Sequence, residues 1–271
     1  MLVRAGDYIR LATGESIALE LHPCDALGAL VTPTAASAEL DGEAIEVTIT
    51  AQHDVALTVP AQELGWHELD VTIDGTVYTV SIESVGSHYF TIAELRTYGQ
   101  NGQTDNFTDT TRYPAAALFW ARQAAESVIE RNSCVSFTRR HATATIDPRK
   151  GNFIALQPYT HSAAVTDEDG NDVPAWLVSD RQLQLGWINP FGGPLTVEYI
   201  YGIDAPAPIR RAALKLAANY LRPLNRPEQA TGESSDYGYI TYTLAGRDGA
   251  TGIPEVDAAI KQYGTVWPVV W

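Results

Sequence analysis

The sequence predicts an α+β protein: an N-terminal all-β, sandwich-like domain over residues 1–88, then a helical core over residues 89–263 carrying an inserted β-hairpin meander. Three observations predict it. Apolar residues in the first region recur at period two, whereas helical spacing appears only after residue 89. Turn dipeptides punctuate the first region, and prolines open the helices of the second. The charge is also split. Residues 1–88 hold 2 basic and 14 acidic side chains, a net of −12, and the rest hold 16 and 19, a net of −3.

In the first region the segments SIALEL, AIEVTIT, VALTV and ELDVTIDGTVYTVSI read as strands. In the last, Val71 and Ile73 precede Asp74 and Gly75, while Val77 and Val80 follow, the strongest short-range signal for a hairpin. Asp41 and Gly42 mark a second turn. CDALGALVTPTAASAE, rich in small residues and proline, reads as a linker.

Beyond residue 88, TIAELRTYG predicts one or two helical turns opened by Thr91, and a polar loop follows it. Pro114 opens a long helix whose apolar stripe is Leu118, Ala121, Ala125 and Val128. RRHATATI, FIALQP, SAAVTDEDGNDV, QLQLGWI and LTVEYIYG read as strands of a meander with turns at Asp169-Gly170 and Gly192-Gly193. A second helix follows Pro208, with Ile209, Ala213, Leu216 and Tyr220 on one stripe and Arg211, Lys215 and Arg222 on another side. A strand in YGYITYTL precedes a short helix that starts at Pro254 and stops at Gly264.

Composition and motifs exclude several classes of function. No apolar run approaches the roughly 18 residues needed to span a bilayer, and MLVRAGDYIR lacks the apolar stretch of a secretory leader. Cys24 and Cys134 stand alone, 110 positions apart, and read as buried thiols of a reducing compartment. The six histidines show no metal-binding spacing. In DEDGND glycine falls fourth from Asp167, where a calcium loop requires it sixth, so a hairpin turn is expected. There is no nucleophile elbow, phosphate loop or dinucleotide fingerprint, so neither an enzyme nor a bound cofactor is expected. The acidic balance lacks the basic excess of a nucleic-acid binder, yet it suits a wall that DNA must slide past.

The order of the second region is more telling than any single motif. A helix ending in VIERNSCVSF leads into strands, then the Asp169-Gly170 hairpin, then Val197, Tyr199 and Gly202 at a strand end, then a proline-started, alanine-rich helix from Pro208 to Leu221. This succession resembles the head-to-tail connector (adaptor) proteins of tailed phages over roughly residues 89–263. The resemblance implies a structural virion protein of the neck, synthesised in the host cytoplasm. It implies a homo-oligomeric ring, most often of twelve copies, between the portal protein and a stopper or tail-completion protein. Genome DNA would pass through without sequence-specific binding, and no membrane is involved. The acidic module at 1–88 lies outside the common adaptor pattern. A tail or capsid decoration protein that binds through that module is the alternative reading.

Residues 264–271 form an apolar C-terminal arm. Trp267, Pro268, Val269, Val270 and Trp271 are expected to bind a partner, since Gly264 and Pro268 break regular structure and leave an extended strip. Packing on its own domain, on the next subunit or on a neighbouring protein all remain open to it. Arg211, Lys215 and Arg222 are the remaining partner-binding candidates, as phosphate contacts or subunit salt bridges, against the plainer reading of a solvated face.

Overall fold

A computed structural model describes residues 8–24, 29–50, 54–99, 106–147, 151–186, 193–222, 232–235, 238–241 and 250–264. The fold is α+β. The chain forms two compact units, each discontinuous in sequence: unit 1 comprises residues 1–88 and 138–204, and unit 2 comprises residues 89–137 and 205–271. The meander read as an insertion within the helical core therefore contributes its strands to unit 1.

Unit 1 begins with β1 (Tyr8–Ala12), β2 (Ile17–Leu21), β3 (Ala36–Leu40), β4 (Glu43–Ile45), β5 (Val47–Ile49), β6 (Val55–Val59), β7 (Gly65–Ile73) and β8 (Thr76–Val85). They form a five-stranded sheet in the order β1-β8-β7-β3-β4 and a three-stranded sheet in the order β2-β6-β5. β1 runs parallel to β8, and the other pairings are antiparallel. Both expected hairpins form. Asp41 and Gly42 lie at φ 52° and 83°, and Asp74 and Gly75 at 47° and 84°. Positive φ at both central positions is the turn whose twist matches the flanking strands. Leu19, Leu21, Val55, Leu57 and Val59 of one sheet, and Leu69, Val71, Ile73, Val80 and Ile82 of the other, are buried at alternate positions. That pattern is the signature of two sheets with facing apolar sides.

The linker reading of residues 24–39 is corrected at its end, where β3 pairs with β7 from Ala36 opposite Ile73 to Leu40 opposite Leu69. Ala and Ser have weak strand preference, so cross-strand pairing decides this segment.

Unit 1 continues with β9 (Arg140–Ile146), β10 (Phe153–Ala155), β11 (Thr160–Thr166), β12 (Ala175–Ser179), β13 (Gln182–Leu185) and β14 (Leu195–Tyr201). Two three-stranded sheets result, β11-β14-β9 and β10-β13-β12. Ile154, Leu183 and Leu185 of one share a core with Val165, Leu195, Val197 and Tyr199 of the other. Gly202, at φ 101°, turns the chain out of β14, and its amide donates to the Tyr159 carbonyl at 3.1 Å. Asp167 closes the expected hairpin, accepting from the amides of Asp169 at 3.0 Å and Asn171 at 2.8 Å. Those donors, the Asn171 amide foremost, hold its carboxyl below the ordinary value.

Unit 2 contains α1 (Ile92–Thr97), α2 (Ala115–Ser133), α3 (Ala207–Leu221) and α4 (Pro254–Tyr263), with a short ribbon of β15 (Gly232–Ser235) and β16 (Gly238–Thr241). Thr91 and Glu94 form a reciprocal capping box that starts α1. Leu118, Ala121 and Ala125 of α2 are buried as expected, but Ile129 completes the stripe while Val128 is half-buried. On α3, Ile209, Ala213 and Leu216 are buried, and Tyr220 is exposed.

Both cysteines are exposed, which corrects the expectation of buried thiols. Cys134 caps α2 in the left-handed region at φ 55°, so the chain reverses there and turns the side chain outward. Gly264 ends α4, although at φ −69° and not in the left-handed conformation of a glycine cap. Close approach explains the glycine: a Cβ there would lie 2.7 Å from the Ile260 carbonyl oxygen and 3.3 Å from the Ser133 backbone.

Candidate functional site

The basic stripe expected on α3 is divided by the fold. Arg211 and Lys215, one helical turn apart, line an open groove between α3 and α4 of about 400 Å³. Ala207, Pro208 and Ala212 complete the α3 wall, and Glu255, Val256 and Ala259 stand opposite. Lys215 Nζ reaches Glu255 Oε2 at 2.5 Å. Its hydrogen bond and charge, with Arg211 adding a smaller attraction, hold the Glu255 carboxyl below its ordinary value. Lys215 is thereby engaged within its own chain, and exposed Arg211 is the cation this groove presents outward.

Arg222 does not join them. It lies eleven residues beyond Arg211, roughly 16 Å along a helix, at the α3 C-cap, where the backbone turns extended. Its guanidinium stacks on the Phe107 ring, 5.4 Å from the centroid. Trp267, Pro268, Val269, Val270 and Trp271 lie outside the described residues.

Three features were not legible in the sequence. The first is a clamp on Tyr89. Its amide donates to Glu126 Oε1 at 2.9 Å, its hydroxyl to Glu130 Oε1 at 2.8 Å, and its carbonyl accepts from Arg210 Nε at 3.0 Å. Arg210 also holds Glu94 at 2.9 Å, tying α3 to α1. The glutamates at i and i+4 of α2 were the available signal, but helical spacing alone does not say that Glu126 is fully buried.

The second is a buried ion cluster in unit 1. Glu83 of β8, 2% exposed, takes Arg10 Nε of β1 at 3.2 Å and also pairs with Arg140 of β9. The Tyr8 hydroxyl donates to the same carboxylate, and the Tyr8 ring packs on Trp66 with centroids 5.4 Å apart. Burial, above all, pushes the Tyr8 phenol well above its ordinary value.

The third is a sheet face with exposed apolar side chains. On the outer side of β10-β13-β12, Phe153, Gln184 and Trp176 stand directly opposite one another across the three strands. Val178 is the unpaired residue where the register shifts beside them. Phe153, Trp176 and Val178 are 52%, 50% and 51% exposed.

Histidines pair with carboxylates: His22 with Asp54, His67 with Asp41 at 2.7 Å, and His88 with Glu15 at 2.9 Å. His161 instead contacts the Gly202 carbonyl at 2.6 Å.

No protein-family model matches the chain, and no curated protein matches it in sequence. Among solved structures, it is similar to a protein in the neck of an empty GTA particle computed with C6 symmetry. The identity is 18% over 67% of this chain and 92% of that one, with a TM-score of 0.45. Over 27% of its length it is similar to the Lin-41 filamin domain, at 24% identity across 82% of that chain and a TM-score of 0.23. Over 30% it is similar to the cysteine protease inhibitor EhICP2 of Entamoeba histolytica, at 12% identity across 87% of that chain and a TM-score of 0.22.

Proposed function

We propose that this chain is a structural virion protein, a non-enzymatic head-to-tail adaptor. It forms a ring, of twelve copies in this reading, between the portal and a stopper or tail protein and lines the DNA exit channel. The observation that supports this most is the order of helices and strands along the chain, with the helices on either side of the interposed strands in sequence packing on one another. α2 precedes β9 to β14, and α3 then returns to pack on α2, with α4 against both. The motif that carries the adaptor resemblance has a physical role at each position. Val197 and Tyr199 are buried and belong to the core of the inserted sheets, and Gly202 turns the chain toward α3. The excess of carboxylates in residues 1–88 repels phosphate and so suits a channel that DNA traverses.

Arg211 and residues 267–271 serve in this reading as partner-binding elements. Lys215 acts through its pairing with Glu255, and Arg222 supports the end of α3. The test is electron microscopy of the purified full chain together with its mass in solution. A closed ring with a central channel is expected. A monomer at every concentration, with no ring at the neck of the virion, refutes the proposal.

A further inference from the structure

We propose that the outer face of the β10-β13-β12 sheet receives residues 265–271 of a second copy of this chain. The proposal rests on the ring reading in one respect, that copies meet head to tail. Its chemistry stands on separate observations.

The face carries apolar side chains on its two outer strands and glutamines on the middle one, and the positions paired across it carry no charge. Phe153, Gln184 and Trp176 form one row, Ala155, Gln182 and Ser179 the next, and Val178 lies at the bulge. In a chain of net charge −15, three large apolar side chains are half exposed on this one small sheet. The inner face of the same sheet is already committed to the core through Ile154, Leu183 and Leu185. The Trp176 ring lies against Gly186, where a Cβ would come within 3.0 Å of its Cζ3 atom, so the ring is seated on one side while the residue stays half exposed.

The chain itself contains a segment of matching chemistry. TVWPVVW, residues 265–271, has no charged side chain and begins directly after Gly264, which the Ser133 backbone holds closely. Seven extended residues reach roughly 23 Å, and crossing three strands requires about 10 Å. Laid out extended, the segment places Trp267, Val269 and Trp271 on one side, with its tryptophans about 13 Å apart, the scale of the patch. Pro268 has no N–H to give a strand ladder, so the segment suits a face better than the interior of a sheet. Aromatic rings at both ends meet Phe153 and Trp176, which favours offset or edge-to-face packing. Arm and face are different patches of one chain, so the contact repeats from copy to copy and is of the kind that closes rings.

The test uses the full chain with Phe153 replaced by the photoreactive p-benzoylphenylalanine, prepared as an equal mixture of light and 15N-labelled protein. Irradiation should join position 153 to residues 265–271, with mixed-isotope products showing that two copies are linked. Crosslinks to any other segment, or only between segments of one isotope, overturn the proposal. Two further variants read its consequence: a chain ending at residue 264, and the full chain carrying Trp176→Glu, with circular dichroism and a melting curve to show that each remains folded. Each alone should lose self-association at least tenfold, and mixing them should restore one-to-one pairs, because each supplies what the other lacks. If the parent forms rings and both variants do too, this proposal fails and the ring reading stands. If the parent forms no ring, the ring reading fails, and the crosslink decides this proposal separately.

Discussion

Replacing Glu83 with Gln should be among the most damaging single changes in unit 1. The carboxylate and Arg10 are each 2% exposed, and Arg140, at 18%, shares the same anion. Glutamine keeps the size and one acceptor but removes the negative charge with which both guanidinium groups pair. Removing one partner of a buried pair costs about 3–5 kcal/mol. Arg140→Met is the control, since it leaves the Arg10–Glu83 pair electrically balanced. It loses a hydrogen bond to a charged group, about 1.5–3 kcal/mol. The assay is urea unfolding at neutral pH followed by circular dichroism, with hydrogen exchange of the β1 and β8 amides to localise the effect. A Glu83→Gln variant within about 1 kcal/mol of the parent, or an Arg140→Met variant that loses as much, would refute the assignment of Glu83 as the shared anion.

The remaining predictions concern the α3–α4 groove, one hairpin and the end of α4. Arg211→Glu should weaken self-association with a steep dependence on salt, whereas Lys215→Ala should change monomer stability by no more than about 1 kcal/mol, because an exposed ion pair contributes little; sedimentation at two ionic strengths measures the first and urea unfolding the second. Asp74 accepts from the Thr34 hydroxyl and from the Ala35 and Thr34 amides, so its folded pKa lies below the ordinary 3.8. Its contribution is therefore present above that value and lost as pH falls through the lower folded one. Asp74→Asn, which tolerates the positive φ of the turn, should be less stable than the parent at pH 7, with the gap closing in acid; a gap independent of pH contradicts the reasoning. Gly264→Ala should cost about 1–3 kcal/mol by overpacking against backbone that cannot yield, and an unchanged unfolding midpoint would show that the close approach is not felt.

The hairpins at Asp41 and Asp74 and the start of α1 at Thr91 were legible because their signals are local. β1 and β12 were not. Arg10 interrupts the apolar pattern of YIRLA yet is buried through Glu83, and AWLVS fails to alternate because Trp176 and Val178 face outward. Val128 gives way to Ile129 on α2 because the buried face is wider than its apolar stripe, taking in Arg122, Gln123 and Glu126. The grouping of residues 138–204 with residues 1–88 depends on contacts such as Glu83 with Arg140, which no local pattern announces. At the candidate site, helical spacing placed Arg211 and Lys215 together correctly. It could not show that Arg222 leaves the helix at its cap.

The chain crosses between its two units three times, after residues 88, 137 and 204. This bears on how the protein is made. During synthesis at roughly 5–20 residues per second, the strands of residues 1–88 emerge well before Arg140, the second cation of the Glu83 cluster, and then wait roughly 6–23 s for the last strand of unit 1. The first helices of unit 2 wait longer, for α3 and then α4. A nascent chain interrupted between residues 134 and 204 carries the paired strands β1 to β8 but neither the full meander nor the α3 and α4 that pack on α2. Incomplete copies therefore leave the apolar stripe of α2 exposed to proteases and chaperones.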